Sequence, residues 1–484
     1  MFTTLKLPFL ICLFFYLCYL FFSIELQPMP WFDETFFASM AHNYWLHATL
    51  VPEISATVMH QNQVFIYGPV YFVLTGLSFD CFGFGVWQFR IVTMIFGLAV
   101  ILIMMLLKKR LVKQSWGTWD MVWVIILLTD PFFNLSLHEG RMDLVALFFM
   151  LMAIYSLLIA VEKSQNALFV LVGICVALAV LTTPRLGFIV MACGAAVIYL
   201  WAQQKLNFLQ VALLALPILV IYGSWIHFCG GLNSFIDVYF AHFDKSGTQD
   251  TVFNYIGADF YIPRHEYLLI AFSICVVVVG VLKKNQFLKH YFAWVALASI
   301  CLFYWLIKDW GPYSIFILPF YYLLCMGLQK QSPTVFFNVC IAVLLVFNVV
   351  FFGLKVVQTM VSASERNPQI AYDFVRQHIP KGSKVIGDAT YYYAVVRHGA
   401  SYEYIDKYAT LNRREELLRT KYKYQYVIVS DIEKARYGPT LNYFASKSKL
   451  QLVAQLRVPP SVKIPLVSSF DAQGYGCCLY KVID

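Results

Sequence analysis

Residues 91–110 read IVTMIFGLAVILIMMLLKKR, an apolar run that meets no charged side chain until Lys108, Lys109 and Arg110 end it. A helix needs about 20 mostly apolar residues to cross the hydrocarbon core of a bilayer, and the cytoplasmic ends of such helices are enriched in Lys and Arg. The run therefore predicts a membrane-spanning helix whose carboxyl end lies on the cytoplasmic side.

The same apolar character extends along most of the 484 residues. The chain is 60% hydrophobic and 13% charged, whereas soluble domains carry roughly 25% charged residues. Its net charge of +9 is no nucleic-acid signal, because no basic stripe with interleaved aromatic residues stands out. We predict a polytopic α-helical membrane protein with about eleven spans, near residues 7–26, 87–107, 119–135, 143–161, 167–183, 186–202, 208–228, 266–282, 291–307, 312–328 and 333–354.

The loop charges predict an inside amino terminus and an outside carboxyl terminus. With that orientation, 11 basic residues fall in inside loops and 6 at outside positions before residue 355, as the positive-inside rule requires. Residues 67–84, YGPVYFVLTGLSFDCFGF, are apolar as well, but a span there would reverse every later loop. We therefore expect this segment to lie at the outer interface or to be re-entrant.

The carboxyl-terminal part of the chain has a different composition. Residues 355–484 hold 19 of the 36 Lys and Arg and 11 of the 27 acidic residues. Asn367-Pro368 is an N-cap and N1 pair that predicts a helix to about His378, and KVIGDA (384–389) and YQYVIVS (424–430) read as strands. We predict a membrane catalytic module over 1–354, with outer loops 27–86 (carrying juxtamembrane helices) and 229–265, and an extracytoplasmic α/β domain over 355–484.

The acidic residues indicate on which face the function lies. Of the 16 acids before residue 355, only Asp120 and Glu162 fall in or beside inside loops. Asp33 and Glu34 directly follow the first span, and a partly desolvated carboxylate at a membrane surface suits a general base. The alternative is a solvated pair that marks the end of the span.

A second polar cluster, His138–Asp143 (HEGRMD), occupies a short outer turn. Arg141 and Asp143 are either a local ion pair that caps a span or an arginine and an acid facing a shared cleft. Arg185 and Lys308 are expected at about the same membrane depth as Asp33 and Asp143. Cations that converge there suit the binding of a lipid phosphate. The alternative is that these long basic side chains only extend toward the lipid headgroups, without binding a substrate.

Metal and nucleotide motifs are scarce. His42, His138 and Glu139 are weak metal candidates, since no H-E-x-x-H motif or tight ligand spacing occurs. A divalent metal is the one cofactor that these residues leave open, and the sequence establishes none. The sequence has no P-loop, G-x-G-x-x-G or G-x-S-x-G motif. Nucleotide-driven transport and α/β-hydrolase chemistry therefore find no support.

Several motifs together resemble the glycosyltransferase C superfamily of polyprenyl-phosphate-sugar-dependent transferases, which includes protein O-mannosyltransferases and lipid A aminoarabinose transferases. The motifs occur in the family's order and cover most of the chain: Asp33-Glu34, Tyr67–Tyr71 (YGPVY), Arg141–Asp143 (RMD), Thr183–Arg185 (TPR) and Tyr313–Tyr322.

The resemblance implies a catalytic function for the acids and a donor-binding function for the cations. It makes Asp33 the catalytic base, with Glu34 in support, and Asp143 the acid of the second outer loop. Candidates for holding the donor and its phosphate are Arg141, Arg185, Lys308, Tyr313 and Tyr67. Family members commonly carry Lys where Arg185 stands, and Lys308 matches no fixed motif.

The expected activity is an inverting, in-line transfer of a sugar from a polyprenyl-phosphate carrier to a hydroxyl of a glycolipid, polysaccharide or protein. We expect a bacterial inner membrane, with the site facing the periplasm or exterior. The alternative is a multi-span lipid or sugar transporter or flippase, which predicts charges near mid-bilayer and internal repeats. The sequence shows no such symmetry, and its charges are expected to stop at the edges of the spans.

Overall fold

The computed structural model describes residues 6–52, 64–113, 117–237, 290–306, 313–331, 335–404, 424–431, 449–459 and 474–483, together with residues 274, 278, 281 and 464. The described part is an integral membrane helical assembly followed by a small α/β domain. Apolar segments form helices in this setting because lipid offers no hydrogen bonds, so each backbone N–H and C=O must be satisfied within the segment.

The membrane part consists of helices joined by short connections. Their bounds are α1 Lys6–Ser23, α2 Phe32–His47, α3 Val70–Phe82, α4 Val86–Val112, α5 Thr118–Thr129, α6 Pro131–His138, α7 Asp143–Lys163, α8 Asn166–Thr182, α9 Gly187–Ala202, α10 Phe208–Phe228, α11 Tyr291–Leu306, α12 Leu318–Gln331 and α13 Val335–Val361. Each predicted span coincides with one of these helices or with the α5–α6 pair, except the span near 266–282, which lies almost wholly outside the described residues.

Not every one of these helices is long enough to cross a bilayer alone. Five described helices are long and apolar enough to do so, or six if α5 and α6 form one span, and the remaining apolar helices are shorter. The number eleven, and the orientation of the spans, therefore stay predictions. Helix α3 has 13 residues and is about 20 Å long, short of the roughly 30 Å hydrocarbon core.

One predicted span is broken. Residues 119–135 were expected to be one continuous helix, whereas α5 and α6 meet at an angle of 56°. Pro131 cannot donate a backbone hydrogen bond, and the Asp130 carboxylate accepts instead from the N–H groups of Phe132 (2.9 Å) and Phe133 (3.0 Å). Asp130 lies within the predicted span 119–135 and is fully buried, and its carboxylate caps helix α6 at the break.

The carboxyl-terminal domain begins where α13 ends. Helix α13 continues to Val361, so the predicted division at residue 354 falls within it. Short helix α14 (Ala363–Arg366) is followed by α15 (Pro368–His378), which Asn367 caps as predicted through its side chain and the N–H of Gln369. The strands are β1 Lys384–Gly387, β2 Ser401–Tyr404, β3 Tyr426–Ser430, β4 Lys449–Leu456 and β5 Cys477–Ile483, with helix α16 (Tyr392–Arg397) between β1 and β2.

These strands form one mixed sheet in the order β2-β1-β3-β5-β4. Strand β1 pairs in parallel with β2 and β3, whereas β5 runs antiparallel to both β3 and β4. The predicted strands KVIGDA and YQYVIVS become β1 and β3, next to each other in the sheet. One buried apolar cluster includes side chains of both the membrane helices and this domain, so the two parts share a core.

Candidate active site

Arg141 lies at the centre of a polar cluster at the end of the bent helix pair. The turn between α6 and α7 reverses at Gly140, whose φ of +61° is a left-handed conformation that favours glycine. The Tyr71 hydroxyl donates to the Gly140 carbonyl at 2.7 Å, and the Thr93 hydroxyl donates to the Arg141 carbonyl at 3.0 Å. Helices α3 and α4 thereby fix the backbone that presents Arg141.

The Arg141 guanidinium joins the two acids that the sequence predicts to be catalytic. Its Nε donates to Asp143 Oδ2 at 2.7 Å and its Nη1 donates to Asp33 Oδ2 at 3.1 Å. The side chains of Arg141 and Asp143 are only 3% and 4% exposed, whereas that of Asp33 is 35% exposed. Asp33 is therefore the acid of this pair that a substrate can reach.

Aromatic rings line the cationic groups. The ring centroid of Tyr313 lies 4.1 Å from the guanidinium carbon of Arg185 and 4.9 Å from that of Arg141. The Trp31 ring, on the connection between α1 and α2, lies 5.6 Å from Arg141. Such cation–π contacts use the faces of the guanidinium groups and hold these groups in place.

Arg185 comes to the cluster through a close approach between two segments. The Gly68 N–H donates to the Leu181 carbonyl at 2.5 Å, and a Cβ on Gly68 would lie 2.8 Å from that oxygen. This contact places Tyr67 beside the Thr183–Arg185 segment. Arg185 forms no ion pair with any carboxylate of the described residues.

Three polar atoms around the arginines are buried without a hydrogen-bond partner in the described structure. They are Asp143 Oδ1, Thr183 Oγ1 and Trp31 Nε1. A buried polar atom left unpaired costs roughly 1–3 kcal/mol, so such atoms usually bind a ligand or ordered water. Two acceptor-capable groups and an indole donor therefore surround the two guanidinium groups.

Protonation in the cluster follows from burial and neighbouring charges. Burial raises the pKa of Glu139 to about 7, with Asp143 and Asp33 adding to the rise and Arg141 opposing it. Burial also raises the pKa of Tyr67 and brings that of Tyr313 to about 12. Both phenols therefore keep their protons at neutral pH and can donate hydrogen bonds to an anion.

Glu34 does not join the cluster. The sequence predicts that it supports Asp33 in the site, but both its side chain and that of Arg90 are fully buried, and Arg90 donates to Glu34 Oε1 at 2.9 Å and to Oε2 at 2.6 Å. Tyr393 of the carboxyl-terminal domain donates to Glu34 Oε1 at 3.2 Å. The reason is geometric: consecutive residues of a helix point about 100° apart, so only Asp33 faces the site.

The weak metal candidates do not lie together in one site. His42 packs on the ring of Phe84, with ring centroids 4.6 Å apart, and His138 contacts Ser23 and the Asn134 carbonyl. Over the residues that the structure covers, no three His, Cys, Asp or Glu side chains are grouped closely enough to hold a metal ion. Lys308, and residues 238–265 of the segment predicted to be a long outer loop, lie outside the described residues.

Several residues of this region were not predicted. Tyr71 lies within the quoted YGPVY motif, and Thr183 within TPR, yet neither had an assigned role. Arg90 is one of the six basic residues that the loop charges place outside, and the sequence gives it no other role. Its function depends on Glu34 and Tyr393, which are 56 and 303 residues away in sequence, and no local pattern carries that information.

The fold and the cluster define a polytopic membrane protein with a cationic, aromatic-walled site beside an accessible carboxylate. Residues 67–225 match the model of the dolichyl-phosphate-mannose-protein mannosyltransferase family. This segment contains Tyr67, Arg141, Asp143 and Arg185. No curated protein sequence matches the chain.

Solved structures share its architecture from end to end. ArnT from Cupriavidus metallidurans in the apo state matches at a TM-score of 0.63 with 12% identity, covering 99% of this chain and 98% of that one. The same protein bound to undecaprenyl phosphate matches at 0.63 with 14% identity and the same coverage. A more distant match is the oligosaccharyltransferase AglB from Archaeoglobus fulgidus in complex with an inhibitory peptide and a dolichol-phosphate, at a TM-score of 0.46 and 13% identity over 89% and 70% of the two chains.

The family match contains Arg141, Asp143 and Arg185 but not Asp33 or Tyr313, and the whole chain has the fold of ArnT. Both findings agree with the resemblance to the glycosyltransferase C superfamily.

Proposed function

We propose that this protein transfers a sugar from a polyprenyl-phosphate carrier to a hydroxyl acceptor of the cell envelope. The single observation that carries the proposal is the Arg185 guanidinium, which has no carboxylate partner in the described structure and lies on the Tyr313 ring beside Arg141. A phosphodiester at the membrane surface needs charge compensation of this kind. The family match and the ArnT fold support the same class of donor.

The proposed reaction is a single in-line displacement. Asp33 accepts the proton of the acceptor hydroxyl as that oxygen bonds to the anomeric carbon of the sugar. The bond between the anomeric carbon and the phosphate oxygen breaks, the electron pair leaves with the phosphate, and the configuration inverts. Arg141 and Arg185 stabilise the charge that grows on the leaving phosphate, an effect worth about 3 kcal/mol for one well-placed donor.

Asp143 has two roles in this proposal. Its Oδ2 orients Arg141, and its unpaired Oδ1 is placed to accept a hydrogen bond from a sugar hydroxyl. Tyr67, Tyr313 and Lys308 remain proposed donor contacts. A divalent cation bound with the phosphate would further reduce its charge, and transfer assays with and without EDTA test this contribution.

The test is transfer of labelled sugar from polyprenyl-phosphate mannose and from polyprenyl-phosphate aminoarabinose, the two donors that the compared families suggest, into cell-envelope acceptors. Asp33→Asn should lower kcat by at least 100-fold, the usual effect of losing a general base. Arg185→Gln should raise the donor KM and also lower kcat, because Arg185 binds the donor phosphate and stabilises the charge that grows on it. Asp373→Asn is the matched control, because that acid is exposed and pairs only within the carboxyl-terminal domain.

The same assay distinguishes the glycosyltransferase from the alternative function, a lipid or sugar transporter or flippase. Loss of one labelled product in the Asp33→Asn and Asp143→Asn proteins, at wild-type expression, supports the transferase. Unchanged product in every strain, including a deletion strain, would favour the transporter or flippase. The labelled product also identifies the acceptor, and periplasmic protease protection of the carboxyl-terminal domain tests the proposed outward orientation.

A further inference from the structure

The segment that follows β1 in the carboxyl-terminal sheet packs against the membrane helices through Tyr392 and Tyr393. In open α/β sheets, ligands bind beyond the carboxyl ends of the parallel strands. In this chain, Asp388 occupies that position after β1, and its carboxylate accepts hydrogen bonds from the N–H groups of Thr390 (2.9 Å) and Ser430 (2.6 Å). At this end of β1, the Asp388 carboxylate therefore holds the turn that follows the strand and does not face an open ligand site.

That turn leads into three consecutive tyrosines, Tyr391, Tyr392 and Tyr393, each no more than 1% exposed. Tyr391 stays within the domain, where its hydroxyl donates to the Tyr475 carbonyl. Tyr393 instead packs against the membrane module, with ring centroids 5.6 Å from Phe84 and 6.4 Å from Phe89. The adjacent tyrosines thus serve different parts of the molecule.

The Tyr393 hydroxyl contacts the buried ion pair of Arg90 and Glu34. It donates to Glu34 Oε1 at 3.2 Å, and Glu34 also receives both bonds from Arg90. The remaining N–H groups of Arg90 donate at 2.8, 3.0 and 2.8 Å to the backbone carbonyls of Ile24, Gln27 and Pro28. All five donors of Arg90 are therefore used to hold the segment between α1 and α2.

This ion pair lies in the first turn of α2, directly next to Asp33. Helix α2 begins at Phe32, and its N-cap residue Trp31 makes no side-chain capping bond. The first turn of α2 is held instead by Glu34, the residue after Asp33, which reaches the fixed Arg90. A shift of Glu34 would move the Asp33 carboxylate relative to Arg141, 3.1 Å away.

We propose that Tyr393 is a positioning residue for transfer: the carboxyl-terminal domain sets the orientation of Asp33 through Tyr393, Glu34 and Arg90. The inference rests on the proposed function, in which Asp33 is the base. It gives the carboxyl-terminal domain a role in catalysis without any contact between that domain and the substrate.

The test compares Tyr393→Phe with Tyr391→Phe in the full-length, purified protein. Each variant loses one buried tyrosine hydroxyl of the same domain, but only the first loses a contact with Glu34. The number of binding-competent sites in each preparation is measured by the binding of undecaprenyl phosphate. The kcat is then given per competent site, with the donor, polyprenyl-phosphate mannose or aminoarabinose, that the wild-type protein uses. Tyr393→Phe should lower kcat roughly tenfold with unchanged undecaprenyl-phosphate affinity, because small misplacements of catalytic groups are costly. Tyr391→Phe should stay within about twofold of the wild type.

A double-mutant cycle shows whether Tyr393 acts through Glu34. Adding Tyr393→Phe to Glu34→Gln should change kcat per site little beyond Glu34→Gln alone, because coupled residues are not additive. Fully additive losses, a normal kcat in Tyr393→Phe, or equal losses in both tyrosine variants would overturn the positioning role.

Hydrogen exchange keeps this proposal separate from the proposed function. Amides of residues 32–37 should exchange at least threefold faster in Tyr393→Phe and unchanged in Tyr391→Phe, whether or not any sugar is transferred. A wild-type protein without transfer activity would defeat the proposed function, whereas unchanged exchange in Tyr393→Phe would defeat the positioning role.

Discussion

Asp33 and Glu34 are neighbours with the same chemistry and opposite environments. Asp33 is 35% exposed and meets Arg141, whereas Glu34 is fully buried against Arg90. The sequence predicts that acids cluster after the first span and near Arg141. It could not separate the two carboxylates, because the side of α2 that becomes buried depends on Arg90 and Tyr393, which only the tertiary fold brings there.

Glu139 should make donor binding depend on pH. With its pKa raised to about 7, the carboxyl is neutral below that pH and negatively charged above it. The charged form repels the donor phosphate at the nearby Arg141, so donor affinity should fall roughly fivefold as pH rises through 7, which corresponds to about 1 kcal/mol from one screened charge.

The measurement is the Kd of a non-reactive polyprenyl phosphodiester, whose single charge stays constant, between pH 6 and pH 8. Glu139→Gln should remove the dependence and Asp373→Asn should retain it. A wild-type Kd that does not change with pH would show that Glu139 does not titrate beside the phosphate.

Among the elements, the broken helix and the Gly140 turn decide where Arg141 lies. Asp130-Pro131 is the same kind of N-cap and N1 pair as Asn367-Pro368. The second pair predicts the start of a helix, whereas the first lies among uniformly apolar residues that predict the interior of a span. The break was therefore visible in the sequence, whereas its angle of 56° depends on packing.

Gly140→Ala should damage the site more than the fold. A Cβ at this position would lie 2.5 Å from the Phe89 ring, and the left-handed φ costs a non-glycine residue roughly 1–2 kcal/mol. We expect a lower Tm, measured by fluorescence-detected size exclusion, and at least tenfold less transfer because Arg141 shifts. Gly194→Ala is the control: it lies within α9, where a Cβ meets no other atom within 4 Å, and it should leave both values nearly unchanged.

At the scale of the whole molecule, the Arg90–Glu34 pair joins parts that are distant in sequence. Composition and turn residues were enough to predict a membrane module followed by an α/β domain, and the strands in 384–389 and 424–430. The strand order, with β5 between β3 and β4, and the docking through Tyr393 depend on long-range contacts that no local pattern encodes.

Arg90→Gln should destabilise the protein far more than Arg110→Gln. Removing Arg90 leaves the Glu34 charge buried and three carbonyls without their donor, a loss of about 3–5 kcal/mol. Arg110 pairs with Glu162 at a partly exposed position, where an ion pair contributes about 0–1 kcal/mol. Thermal unfolding of the two variants in the same detergent makes the comparison; similar Tm values would show that the Arg90 pair does not hold the fold together.

The two guanidinium groups at Tyr313 also have a consequence for turnover. If they hold the carrier phosphate during transfer, the donor reaches them as a phosphodiester with one negative charge, and the spent carrier remains as a monoester that carries up to two. The same cations then bind the product more strongly than the substrate. Accumulated carrier phosphate would therefore act as a competitive product inhibitor of the donor, and its inhibition constant would lie below the donor Kd.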